Sequence, residues 1–66
     1  MNRYTVTMNN YSTIDIYADY TEIFRDYHFH CENLRFCRYE GRYPGENVAI
    51  ISMSDIKKVK FEKVYW

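Results

Sequence analysis

The last twenty residues of the chain combine an apolar run, a short interruption and an alternating segment. The run spans 47–53, the interruption spans 54–56, and the alternation spans 57–66. Val59 and Phe61 point to one side and the neighbouring charged residues to the other, because side chains alternate along a strand. The pattern predicts two strands joined by a single tight turn, which suits a small curled barrel.

The first third of the chain predicts a hairpin followed by an ambiguous segment. Residues 4–8 and 13–18 alternate on either side of a turn cluster at 9–12, which predicts two antiparallel strands. Residues 19–26 carry apolar side chains at helical spacing for one or two turns. They fit equally well a second strand that continues around a bend, since so short a helix is marginal.

The middle of the chain predicts a second hairpin and a loop. Residues 27–31 and 34–40 alternate on either side of a tight-turn candidate at 32–33. Residues 41–46 hold both glycines and the only proline, which marks a loop. We therefore predict one mostly β domain over 1–66, with five or six short antiparallel strands in a small barrel or curled sheet. One short helix near 19–26 is the alternative to an additional strand.

Tyrosine is unusually abundant for so short a chain. The 66 residues include eight Tyr, four Phe and one Trp, close to the lower size limit for a core that folds unaided. A core this small cannot hold eight tyrosines with every hydroxyl bonded, so several must lie at the surface. Tyrosine is a favoured contact residue in protein interfaces, although strands also favour tyrosine for packing reasons alone.

The charged residues balance overall but are distributed unevenly. Nine basic and nine acidic residues give no net charge, which does not indicate a general polyanion binder. Residues 1–34 carry a balance of −3 and residues 35–66 a balance of +3. In a monomer the two halves attract each other. In an oligomer this asymmetry favours head-to-tail contacts or one face for an anionic partner.

Several features predict an intracellular setting. No stretch of 18 apolar residues is present, and Met1 leads directly into a strand pattern without a signal-peptide core. The two cysteines, Cys31 and Cys37, are too few for a disulfide framework and are expected to be reduced. We therefore expect a protein of the bacterial cytoplasm with no membrane partner.

Candidate chemistry is confined to two histidines and two cysteines. His28, His30, Cys31 and Cys37 are the nearest approach to a metal site, or to a thiol–imidazole pair. Cys31 points away from the two histidines on a strand, and the cysteine spacing exceeds that of common zinc sites. No phosphate-binding or hydrolase motif is present, and a barrel this small leaves no deep cleft. We predict a binding protein without catalysis, cofactor or metal.

Three kinds of partner fit the remaining residues. Tyr and Arg dominate interface energetics, and this predicts a protein-binding surface formed by Arg38, Tyr39, Arg42, Tyr43, Tyr65 and Trp66. The alternative is a nucleic-acid surface formed by Arg35, Lys57, Lys58 and Lys60. The lysines of the last strand are also explained as edge lysines that discourage aggregation. The zero net charge weakens the nucleic-acid hypothesis further. A further alternative is a homo-oligomer that holds a small nucleotide-like ligand between subunits at Arg38, Arg42 and Tyr43.

The segment 47–61 resembles the strand, single helical turn and closing strand of SH3-like and Sm-like barrels. This resemblance covers about the last third of the chain and implies a small β-barrel. The RNA-contacting motifs of the Sm family are absent, so RNA binding is not implied. In size and composition the chain is similar to small accessory proteins of phages and mobile elements, including anti-CRISPR proteins. That likeness implies an inhibitor that binds a host defence complex.

Overall fold

The computed structural model describes residues 1–39 and 46–65, which form six strands and one 3₁₀ helix. The elements in chain order are β1 (Asn2–Met8), β2 (Thr13–Ala18), β3 (Tyr20–Asp26), β4 (Cys31–Arg38), β5 (Glu46–Ser52), η1 (Met53–Asp55) and β6 (Ile56–Lys63). Sheet A has the order β2-β1-β6 and sheet B the order β3-β4-β5, and every pairing is antiparallel. The predicted small, mostly β, antiparallel fold is confirmed. Within 1–39 and 46–65 no ladder joins the sheets, so they do not close into one barrel.

A single residue, Asp19, carries the chain from sheet A into sheet B. Its backbone N–H donates to the carbonyl of Cys37 at 2.8 Å, and its carboxylate accepts from the backbone N–H of Tyr39 at 2.7 Å. The same carboxylate lies 3.8 Å from the ammonium group of Met1. Asp19 therefore ties the start of β1 and the end of β4 to the corner between β2 and β3.

The alternative of a short helix near 19–26 is wrong, because residues 20–26 form strand β3. All seven residues of β3 pair with β4, from Tyr20 opposite Cys37 to Asp26 opposite Cys31. A helix of this length has too few turns to compensate for its nucleation cost. In the ladder with β4, the backbone groups of residues 20–26 find hydrogen-bond partners on another strand instead. The helical spacing of their apolar residues is therefore coincidental.

The turn of the second hairpin lies at residues 27–30, which corrects the prediction of a tight turn at 32–33. The Asp26 carboxylate accepts from the backbone N–H groups of His28 at 2.9 Å and Phe29 at 3.3 Å. His30 then adopts a positive φ of 54°. An aspartate that bonds to its own turn is a strong local signal. The alternating residue types at 27–31 concealed it by imitating a strand.

The predicted interruption before the last strand is confirmed as the 3₁₀ helix η1. The backbone N–H of Asn9 donates to the carbonyl of Asp55 at 2.9 Å, and the Asn9 side chain donates to the carbonyl of Ser54 at 2.6 Å. These bonds join η1 to the β1–β2 turn while η1 directs the chain from sheet B to sheet A. The described part of the chain has no helix with the length and apolarity needed to cross a membrane.

The core is small and lies between the inward faces of the two sheets. Its buried members are Tyr4, Val6, Ile16 and Ala18 of sheet A and Phe36 of sheet B. The rings of Tyr4 and Phe36 meet edge to face with their centroids 5.3 Å apart. Since alternate residues of each strand point away from this core, both sheets also have an outward face.

Candidate functional site

The outward face of sheet B carries apolar side chains where solvent-exposed polar ones are usual. The ladders place Glu22, Arg35 and Ile50 side by side, opposite in direction to the inward Phe36. Phe24 follows Glu22 on the same side of β3, and Val48 lies at the bulge of β5. The exposed fractions are 40% for Phe24, 39% for Val48 and 51% for Ile50. We call the surface formed by Glu22, Phe24, Arg35 and Ile50, together with Tyr20 and Tyr39, the docking face.

Arg35 occupies the centre of the docking face in a fixed orientation. Its Nη1 lies 2.9 Å from Oε1 of Glu22, and its guanidinium carbon lies 4.8 Å from the centroid of the Phe24 ring. Its Nε–H is buried and has no hydrogen-bond partner among the described residues. The side chain is 25% exposed. Stacking on the ring and the ion pair together hold the cation in a defined position.

Tyr39 extends the docking face towards the Asp19 corner. Its ring packs against the ring of Tyr20 with centroids 4.9 Å apart, and Tyr39 is 66% exposed. Tyr65 also belongs to this end of the molecule, because the backbone N–H of Val64 donates to the carbonyl of Met1 at 3.0 Å. Tyr65 is 86% exposed. Two predicted partner-binding residues therefore lie at one end, with exposed rings.

The other predicted partner-binding residues divide into two groups. Arg38 points inward, where its Nε donates to the backbone carbonyl of Tyr17 at 3.0 Å, so its hydrogen bond serves the packing of the two sheets. Arg42, Tyr43 and Trp66 lie outside the described residues. The predicted ligand pocket at Arg38, Arg42 and Tyr43 lies mostly outside them as well.

The predicted nucleic-acid residues are divided between the two sheets. Arg35 belongs to the docking face of sheet B, whereas Lys57, Lys58 and Lys60 belong to β6 of sheet A. Lys57 places its ammonium group 5.0 Å from the centroid of the Tyr11 ring. The three lysines therefore lie together on one strand, and Arg35 lies apart from them on the other sheet.

The outward face of sheet A is polar, and most of its groups bond to one another. Arg3 pairs with Glu62 across the β1–β6 ladder, and the Thr5 hydroxyl donates to the Asp15 carboxylate at 3.0 Å. A hydrogen bond with Tyr17, together with the charge of Glu62, raises the pKa of Arg3 above its ordinary value. Both groups favour the charged guanidinium and so support its pairing across the ladder.

The histidines and cysteines do not converge on one site. His28 and His30 lie in the β3–β4 turn, where the ring of His28 meets the ring of Phe29 edge to face at 4.9 Å. Cys37 is buried further along β4, and its Sγ lies 3.7 Å from Oδ1 of Asn47. Among residues 1–39 and 46–65, no three His, Cys, Asp or Glu side chains are grouped to hold a metal ion.

Two depressions on the surface offer little chemistry. One, of about 350 Å³, is lined by Met8, Asn9, Asn10, Ser12, Ile14 and Asp55. The other, of about 190 Å³, is lined by Arg3, Thr5, Lys60, Phe61 and Glu62. Asn9 and Asn10 already bond to Ser54 and Ser12, and Arg3 to Glu62, so their polar groups organise the fold.

The exposed apolar centre of the docking face was missed by the sequence predictions. The available signal was the run Val48-Ala49-Ile50-Ile51. Neighbouring residues of a strand face opposite sides, so Ile50 and Ile51 cannot both enter a core that lies on one side of the sheet. An apolar run in a two-layer protein therefore indicates an exposed apolar surface.

Comparison with known proteins found no matching family model, no matching curated protein and no matching solved structure. The resemblances to SH3-like and Sm-like barrels and to small phage proteins therefore stay predictions.

Proposed function

We propose that this chain is a non-catalytic protein-binding module that docks on another protein through the docking face of sheet B. The observation that carries the proposal is the placement of two exposed apolar side chains on either side of a fixed arginine. Phe24 and Ile50 supply area that a partner can remove from water, and Arg35 supplies a cation in a defined position. This combination of aromatic, aliphatic and arginine side chains is typical of interface hot spots.

The rigidity of the docking face supports the same function. Strands present Phe24, Arg35 and Ile50 from a paired ladder, and Arg35 is held by both of its neighbours on β3. A preformed surface loses less side-chain entropy on binding than a flexible one. Tyr39 adds an aromatic ring at the margin, already packed against Tyr20. An apolar protein surface with a carbonyl or carboxylate that reaches Arg35 is the partner that these groups would recognise.

Within this proposal the module is a small phage or mobile-element inhibitor that occupies a surface of a host defence complex. The size and composition of the chain, which resemble those of such accessory proteins, support this setting. Inhibition by occupying a surface requires neither a cleft nor a reactive side chain. Its requirements are exposed area, complementarity and a stable fold, and the docking face supplies the first of these.

Affinity capture with matched variants tests the proposal. The full chain is immobilised and exposed to a bacterial lysate with and without nuclease. The double variant Phe24→Ser and Ile50→Lys is compared with the control Thr13→Ser and Thr7→Lys, which introduces the same two residues at a cross-strand pair on the outward face of sheet A. We expect the wild type and the control to retain the same bound proteins after nuclease, and the docking-face variant to lose them. Thermal melting establishes that each variant is folded.

Two outcomes would contradict the proposal. If the docking-face variant and the control capture the same proteins equally well, the docking face is not the binding surface. If nuclease removes the captured material from the wild type, the bound species depends on nucleic acid, and the alternative prediction gains the support instead.

A further inference from the structure

Strand β6 forms one edge of sheet A and has a partner on one side only. It pairs with β1 from Asn2 opposite Lys63 to Met8 opposite Ile56, with a bulge near Thr7. In the described part of the chain no strand pairs with its other side. Alternate backbone N–H and C=O groups of an edge strand point away from the sheet and can pair with another strand.

The positive charges on β6 are not neutralised within the described residues. The four ion pairs recorded there use Arg3, Arg25, Arg35 and the amino terminus as cations. None uses a lysine, although β6 carries Lys57, Lys58, Lys60 and Lys63. The nearby carboxylates are already engaged, since Glu62 pairs with Arg3 and Asp15 accepts from Thr5. Among the described residues, Lys58 and Lys60, on the outward side, therefore have no acidic partner.

The inward side of β6 carries two apolar side chains that are incompletely covered, Val59 and Phe61. Val59 is 38% exposed and Phe61 is 68% exposed, although the Phe61 ring lies 5.9 Å from the ring of Tyr4. A strand added beside β6 would place its side chains against these residues on one face. On the other face it would meet the two lysines, because paired residues in a ladder point to the same side.

We propose that β6 binds an extended acidic peptide segment as an additional strand of sheet A. The segment alternates acidic with apolar residues, so that the acidic ones meet Lys58 and Lys60 and the apolar ones meet Val59 and Phe61. The backbone of the peptide satisfies the free edge, as in other cases of strand addition. This site lies on sheet A, and its existence does not rest on the docking face of sheet B.

A peptide fits this strand better than a nucleic acid does. A phosphate backbone would engage the lysines but would leave the free amide edge unpaired and would gain nothing from Val59. The chain has no net charge, and phosphate binding depends mainly on electrostatic attraction. Edge lysines also discourage pairing with neutral or basic strands. This effect agrees with selectivity for an acidic strand, because the lysines disfavour neutral strands and repel basic ones.

Synthetic peptides of about eight residues, matching the length of β6, test the inference. The probe alternates glutamate with valine, and its controls replace glutamate with lysine or methylate alternate backbone amides. We measure affinity by fluorescence anisotropy and amide hydrogen exchange of the full chain by NMR. We expect binding of the acidic probe alone, with slower exchange at the free edge of β6. The double variant Lys58→Glu and Lys60→Glu should bind it about tenfold more weakly, since two exposed ion pairs are lost.

The charge-reversed variant provides the sharpest control. We expect it to bind the lysine–valine peptide in place of the glutamate–valine peptide, which a merely destabilised variant would not do. Arg25→Glu, which changes the charge of an exposed residue on sheet B, should leave binding of the acidic probe unchanged. Failure of the acidic probe to bind, or binding without protection of β6, would overturn the inference. Tighter binding of an oligothymidine at the same salt concentration would overturn it too, as would occupation of β6 by a second copy, measured by sedimentation.

Discussion

The outward faces of the two sheets are built on the same plan but carry different side chains. Each has an arginine that pairs with a glutamate on a neighbouring strand, Arg3 with Glu62 in sheet A and Arg35 with Glu22 in sheet B. Threonine and aspartate groups surround the first pair, whereas exposed Phe24 and apolar β5 side chains surround the second. The backbone architecture of the two sheets is therefore similar, and the difference lies in what each presents to water.

This difference separates the requirements of folding from those of binding. An antiparallel sheet with one solvated side usually has apolar side chains on its inward face and polar side chains on its outward face. Sheet A follows that rule, while sheet B has apolar residues on both sides of the same strands. Because the inward side already forms the core, the outward apolar residues of sheet B contribute little to it. Their exposure supports a role in contact with another molecule.

The largest difference in stability should appear between the two phenylalanines on opposite faces of sheet B. Phe36 is fully buried, so Phe36→Ala should lower the free energy of unfolding by about 3–5 kcal/mol, from lost burial and an unfilled cavity. Phe24→Ala should lower it by only about 0.5–1 kcal/mol, because Phe24 is exposed and loses mainly its contact with Arg35. Urea unfolding followed by circular dichroism measures both.

The size of the first effect requires a control, since a domain of this size has little stability to lose. If Phe36→Ala is unfolded in buffer, Phe36→Leu keeps most of the volume and allows the comparison to be made. Comparable losses for Phe24→Ala and Phe36→Ala would show that the outward face is also a structural core. The contrast between the two sides of sheet B would then be lost.

A smaller effect should distinguish the adjacent residues Ile50 and Ile51. Ile51 packs against the core, so Ile51→Thr should lower the free energy of unfolding by about 1–2 kcal/mol by placing a hydroxyl in apolar surroundings. Ile50→Thr should change it by less than about 0.5 kcal/mol, since Ile50 is exposed and threonine suits a strand. Urea unfolding again provides the measurement. An equal loss at both positions would mean that β5 is covered on both sides.

The sequence predicted the C-terminal half of the fold better than the middle. The interruption before β6 and the alternation of its residues follow from side-chain periodicity alone. The interruption is present one residue earlier than predicted, and the ladder with β1 places Val59 and Phe61 on one side and Lys58 and Lys60 on the other. The role of Asp19 could not be read in this way, because it depends on backbone groups of Cys37 and Tyr39 that only the folded chain brings near it. Asp26 bonds within its own turn, and that local signal was concealed by the alternating residue types at 27–31. Segment 20–26 illustrates the same limit, since its pattern fits two periods and pairing with β4 selects one.

The candidate site was predictable in part. Tyr39 and Arg35 were recognised as surface residues of a binding type, but the sequence assigned them to different partners. The ladder places Arg35 on the outward side of sheet B, and Tyr39 joins the same side through its ring contact with Tyr20. Phe24 and Ile50 were missed because an apolar residue in a strand is first taken as a core residue. Which side of the sheet faces the core is settled by tertiary packing, which a periodic pattern does not contain.

The smallest changes in stability should come from replacing Arg3 and Arg35, the two arginines that pair with a glutamate on the outward faces. Arg3→Met should lower the free energy of unfolding only slightly, because it removes a hydrogen bond with Tyr17 and an exposed ion pair with Glu62. Arg35→Met should change it by less than about 0.5 kcal/mol, since methionine keeps the packing on Phe24 and removes a buried Nε–H that lacks a partner among the described residues, and this offsets the lost pair with Glu22. Urea unfolding at low and high salt measures both changes. Added salt should diminish the loss caused by Arg3→Met, because salt screens an exposed ion pair. A larger loss at Arg35 than at Arg3 would make Arg35 a structural residue and remove the anchor from the docking face.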